Sequence, residues 1–166
     1  MTPLVSALGA MATALLELSV VPHLAVGGAR LHLVLVLGVA WTVAAGVQAG
    51  LVWAFVGGLA LDVLAQRPLG SSAFALLVSL GGAAMLAPLL SRIRPFSPVL
   101  LVLVLSYVNS LLLLVVYGAL RAPISDPEPL RTLLPGVLYD TALAALVGPV
   151  FILLHARRLN DSSPQV

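Results

Sequence analysis

The sequence contains no cysteine and no lysine, and charge is scarce: eight basic and six acidic residues in 166, or 8% of the chain. A soluble domain carries about 25% charged residues, so this chain cannot furnish a solvated surface of ordinary extent. The missing cysteine excludes disulfides, thiolate metal sites, iron–sulfur clusters, cysteine nucleophiles and palmitoylation together. Aromatic residues make up only 5% and are dispersed, which disfavours a ligand pocket built from converging rings. With no clustered basic face, there is no electrostatic footprint for nucleic acid. Phosphate-loop, nucleophile-elbow and metalloprotease motifs are likewise missing. His23, His32 and His155 lie in different segments without a companion ligand set, and read as bland interfacial histidines. No catalytic, metal or cofactor site is nominated.

What is present is apolar sequence, 61% of the chain. A spanning helix needs about 20 residues, and the chain divides into six candidate spans at about 4–21, 31–45, 51–65, 71–90, 99–119 and 133–154, with a polar tail over 155–166. The expected fold is an all-α integral membrane protein, one compact domain of about six helices. The charge-free run after Arg30 is too long for one span, and Gly46 to Gly50 is its expected turn. Pro68 ends the third span at Arg67, because a residue before proline is driven out of helical geometry. Asp140 and Pro149 are expected to break the sixth segment.

Six spans put Arg92, Arg94, Arg157 and Arg158 on one side, and Arg30, Arg67, Arg121 and Arg131 on the other. The side with the two close pairs is taken as cytoplasmic, with both termini there. Trp41 and Trp53 fall toward the second turn, where indoles suit an interfacial belt.

Helical spacing brings out narrow stripes of small residues. Gly50, Ala54, Gly58 and Asp62 recur every fourth residue in the third span, as do Gly136, Asp140, Ala144 and Gly148 in the sixth. Such stripes let helix backbones approach closely, and in lipid that packing drives association. Three acids, Asp62 and Asp140 on these stripes and Glu17 on a like one with Gly9 and Thr13 in the first span, fall toward one face of the membrane, flanked by Arg30 and Arg67. A lone carboxylate costs roughly 2.5–3.5 kcal/mol at a helix centre, so each is expected to reach the interface, pair with arginine or be protonated. The cluster serves either structural pairing or a polar docking site or small ligand pocket.

The block Gly58-Leu59-Ala60-Leu61-Asp62, followed by Pro68-Leu69-Gly70 and a small-residue-rich helix, resembles the bacterial rod shape-determining protein MreD family. Tyr139-Asp140, Gly148-Pro149 and Arg157-Arg158 look like that family's last helix. The chain departs from the family where a Pro-Asp-Leu opening of the second span is common and Arg30-Leu31-His32-Leu33 stands instead. The resemblance implies a non-enzymatic component of the cell-elongation (rod) complex in the bacterial inner membrane. Its implied partners are MreC and, with it, the transpeptidase and glycosyltransferase of lateral peptidoglycan synthesis.

The family is also similar in architecture to substrate-binding subunits of energy-coupling-factor transporters, so the alternative function is binding of a vitamin-type molecule. Gly58, Asp62 and Gly70 match the family pattern. Asp62 is expected to orient the third-to-fourth turn, and Gly58 to permit close packing. If the acid merely caps or hydrogen-bonds, Asp62→Asn is expected to be tolerated.

Overall fold

A computed structural model describes residues 2–24, 31–90, 97–120 and 135–146. Among these residues the chain is all helical, with no strand: α1 (Thr2–Leu24), α2 (Leu33–Ala45), α3 (Val47–Leu64), α4 (Ser71–Leu90), α5 (Ser97–Ala119) and a sixth segment, α6 (135–146). Pro3–Val21, Val47–Leu64 and Val99–Ala119 are long and apolar enough to cross a membrane, and Leu33–Ala45 and Ser71–Leu86 are shorter apolar helices.

Three expectations change. The second turn is not a five-residue loop: α2 passes into α3 through Gly46 alone, whose φ of +90° is open to glycine without strain. α3 therefore begins four residues earlier than composition indicated. The first helix runs on through Pro22 to Leu24. The sixth helix passes through Asp140 unbroken, because that carboxylate is satisfied by partners outside its own helix. Pro149, Gly148 and Arg30 lie outside the described residues.

α2 is the central helix. It buries Val34, Leu35, Val36, Gly38, Val39, Ala40 and Thr42, and α1, α3, α4 and α5 all pack on it. The shared core joins Ala10 and Ala14 of α1, Trp53 and Leu61 of α3, Leu76 and Leu80 of α4, and Leu101 and Leu105 of α5.

Trp53 turns into the bundle, and Trp41 is half-buried beside it. The Trp53 indole is buried and donates its Nε1–H to the Val34 carbonyl at 3.0 Å. Glycines make the slot for it: a Cβ on Gly9 would lie 2.7 Å from the ring, and one on Gly38 2.9 Å. Trp41 donates to Ser6 Oγ at 2.8 Å and lies 6.0 Å from Trp53, centroid to centroid. An indole taken out of solvent needs an acceptor for its one donor, and both the buried Trp53 and the half-buried Trp41 have one.

Candidate functional site

The α3–α4 connection is built around Asp62. α3 ends with Gln66 in the left-handed region at φ 52°. Gln66 N–H donates to Val63 O at 3.3 Å and Arg67 N–H to Asp62 O at 2.9 Å. That pair of bonds closes the helix end in the Schellman arrangement, a place usually held by glycine. Gln66→Gly is therefore expected to stabilise the protein by about 0.5–1 kcal/mol, since glycine meets no Cβ penalty at positive φ. A thermal midpoint in detergent that fell would refute it.

The Asp62 side chain then starts the next helix. Gly70 stands at the N-cap position of α4, with φ +90° and no side chain to cap with. Asp62, fully buried, replaces it from eight residues back. Its Oδ2 accepts from Gly70 N–H at 2.9 Å, and its Oδ1 accepts from Ser71 Oγ–H and Ser72 N–H, both at 3.0 Å. One residue thus closes α3 with its carbonyl and opens α4 with its carboxylate. Gly70 is held there by backbone conformation rather than crowding, since a Cβ would meet nothing within 4 Å. Arg67 reaches Ser72 Oγ through Nη1 at 3.5 Å.

Gly58 lies one turn before Asp62 in a direct backbone contact between α3 and α4. A Cβ there would fall 2.6 Å from the Ala73 nitrogen, 2.9 Å from the Ser72 carbonyl carbon and closer still to Ala73 Cα. Gly50, at the other end of the stripe, faces α2 instead, where a Cβ would overlap the Thr42 side chain. Ala54 between them is fully buried. The stripe is one line on α3, but it serves two neighbours.

Glu17 and Asp140 meet at the start of α2. That helix has His32 at its N-cap and no side-chain cap of its own, so its first N–H groups need acceptors from elsewhere. Glu17 Oε2 accepts from Val34 N–H at 2.8 Å. Asp140 Oδ1 accepts from His32 N–H at 2.7 Å, and its Oδ2 lies 2.9 Å from His32 Nδ1 and accepts from Ser106 Oγ–H. Arg67 acts electrostatically on both Glu17 and His32. The three acids therefore split into two groups, each at a helix start. Among the described residues their partners are main-chain N–H groups, serine hydroxyls and His32 rather than arginine.

His32 is the N-cap residue of α2, and both its backbone N–H and its ring Nδ1 engage the Asp140 carboxylate.

Sequence reasoning missed His32 and Ser106 as partners of Asp140. One signal was available: α2 begins without Ser, Thr, Asp or Asn at its cap, so buried acceptors had to come from other helices.

A family model described as rod shape-determining protein MreD matches residues 2–157. No curated protein and no solved structure matches the chain.

Proposed function

The chain belongs to the MreD family and has a role in rod shape determination, and we propose that it acts there as a non-enzymatic scaffold in the bacterial inner membrane. In this reading it binds MreC and helps organise the transpeptidase and glycosyltransferase that build lateral peptidoglycan. One observation carries the reading. Glu17, Asp62 and Asp140 all accept hydrogen bonds from the backbones of other helices, so the membrane acids hold the bundle in one shape. A preformed surface binds a partner helix with less ordering cost than a mobile one. Exposed apolar side chains such as Leu4, Leu8 and Leu15 on α1, and Leu103 and Val115 on α5, provide lipid-facing surface on which such a helix can pack.

The test is affinity purification of the tagged, full-length protein from native membranes in mild detergent, with mass spectrometry against an untagged control. Recovery of MreC with wall-synthesis enzymes is expected. Recovery of paired ATPases with a transmembrane coupling subunit would replace this reading with a transporter subunit.

Cytoplasmic termini and six passes are part of the same proposal. The native chain has no thiol, and Gln48 is exposed at the start of α3. Gln48→Cys and Gln165→Cys are both expected to react with an impermeant maleimide only from the cytoplasmic side. Labelling from opposite sides would refute the topology.

A further inference from the structure

α2 begins below the ends of its neighbours. It has 13 residues, about 20 Å of helix against about 30 Å of hydrocarbon. Val34, in its first turn, is level with Glu17 of α1, which takes its N–H at 2.8 Å, and with Gly57 of α3, where a Cβ would lie 2.8 Å from Val34 Cγ1. From there α1 runs on to Leu24 and α3 to Leu64, so both rise about 10 Å past the start of α2. A recess results, with Glu17 and His32 at its floor and Arg67 at its rim. It is reached from outside, since 26% of the His32 side chain is exposed.

Three side chains there have bonding capacity left over. Glu17 accepts from Val34 through Oε2, and its Oε1 accepts nothing among the described residues although the residue is buried. His32 binds Asp140 through its backbone N–H and Nδ1, which leaves Nε2 without a partner among the described residues. Arg67 makes one side-chain hydrogen bond, to Ser72 Oγ at 3.5 Å, from a guanidinium with five N–H donors. Asp62 and Asp140 are by contrast engaged through both oxygens. Glu17 and Arg67 interact electrostatically, yet among the described residues no ion pair joins them within 4 Å. A carboxylate and a guanidinium therefore face one recess with a gap between them, and at membrane depth opposite charges are costly to leave apart.

We propose that this recess binds a zwitterion, whose acid group pairs with Arg67 and whose ammonium pairs with Glu17. An anion alone would meet the Glu17 carboxylate, and a cation alone would meet the Arg67 guanidinium, so a molecule carrying both charges is preferred to either. His32 Nε2 offers one further polar contact. The required pair of charges, a few bonds apart, occurs in a free α-amino acid and in the headgroup of an aminophospholipid. These are one chemistry at the site and differ in whether acyl chains come with it. The site does not depend on the scaffold reading, because it rests on the register of α1, α2 and α3 and not on a partner protein.

The test is isothermal calorimetry on the purified full-length chain in detergent, stripped of lipid. Free glycine and glycerophosphoethanolamine carry both charges, whereas ethanolamine and glycerophosphoglycerol carry one each. At least one of the first two is expected to bind about tenfold or more tightly than either single-charge probe, the usual loss when one charge-assisted hydrogen bond is removed. Glu17→Gln and Arg67→Gln should each weaken that binding by about tenfold or more, and Arg67→Lys, which keeps the charge, should lose less. Glutamine still accepts from Val34 N–H, so the thermal midpoint of Glu17→Gln shows whether its fold is intact, and the two Arg67 variants carry the test where it is not. Native mass spectrometry from nanodiscs of phosphatidylethanolamine and phosphatidylglycerol with matched chains then separates the sources. One retained phosphatidylethanolamine, lost in Arg67→Gln, assigns the headgroup, and glycine binding without lipid preference assigns the free zwitterion. Equal affinity for the single-charge probes, binding unchanged in Arg67→Gln, or failure of both zwitterions to bind would each overturn the site.

Discussion

Gly58→Leu is expected to abolish the folded bundle, seen as loss of the monodisperse peak and of a cooperative thermal transition in detergent. Overpacking a core costs about 1–3 kcal/mol where side chains can yield, and more where they cannot. Here the obstacle is main chain, since even a methyl group on Gly58 meets the Ala73 nitrogen at 2.6 Å and the Ser72 carbonyl carbon at 2.9 Å. α3 and α4 would have to separate, taking Asp62 away from the N–H groups it caps. A loss of at least about 3 kcal/mol follows, against a total stability of about 5–15 kcal/mol for a typical domain. Gly58→Ala should already be impaired. Gly81→Ala on α4 is the control, because a Cβ there meets nothing within 4 Å. If Gly58→Leu kept the peak and the midpoint of the native chain, the backbone contact would not hold the fold.

That contact was legible in the sequence only as a spacing. Small residues at every fourth position mark a helix face that neighbours approach, but the same spacing cannot say which neighbour. Gly50 answers to Thr42 on α2 and Gly58 to Ala73 on α4, because neighbouring helices fan around α3 and meet its stripe at different heights. Span composition marks the apolar segments, since a run without charge is a property of the run itself. It misplaced the second turn because Gly46 alone suffices to reverse the chain. The burial of Trp53 was hidden for a related reason: an indole suits an interface on average, but the glycines that make room for this one lie on α1 and α2, at Gly9 and Gly38. The Asp140 cluster was least legible of all. Its partner His32 is 108 residues away, and no local pattern links a buried acid in one helix to the uncapped start of another.

Asp62→Ala is expected to cost about 3–5 kcal/mol, summing roughly 1–3 kcal/mol for each buried donor left stranded, less what entering water restores. The donors at stake are Gly70 N–H, Ser71 Oγ–H and Ser72 N–H. Ser71 can turn its hydroxyl elsewhere, but the two main-chain groups are fixed by the first turn of α4. The expectation that Asp62→Asn is tolerated where the acid merely caps or hydrogen-bonds holds only for a cap made by one oxygen. Both oxygens accept here, so an asparagine would aim its own amide N–H at a donor, and a penalty of about 1–2 kcal/mol is expected instead. Hydrogen exchange separates a local role from a global one. At Gly70 to Ala73 protection should fall in Asp62→Asn while the core of α2 keeps its own, and in Asp62→Ala both should fall. Were Asp62→Asn to match the native chain in midpoint and exchange, one oxygen would suffice for the cap and the charge would be free for another purpose. Were it to fold normally yet lose its copurifying partners, the carboxylate would act in assembly as well as in the turn.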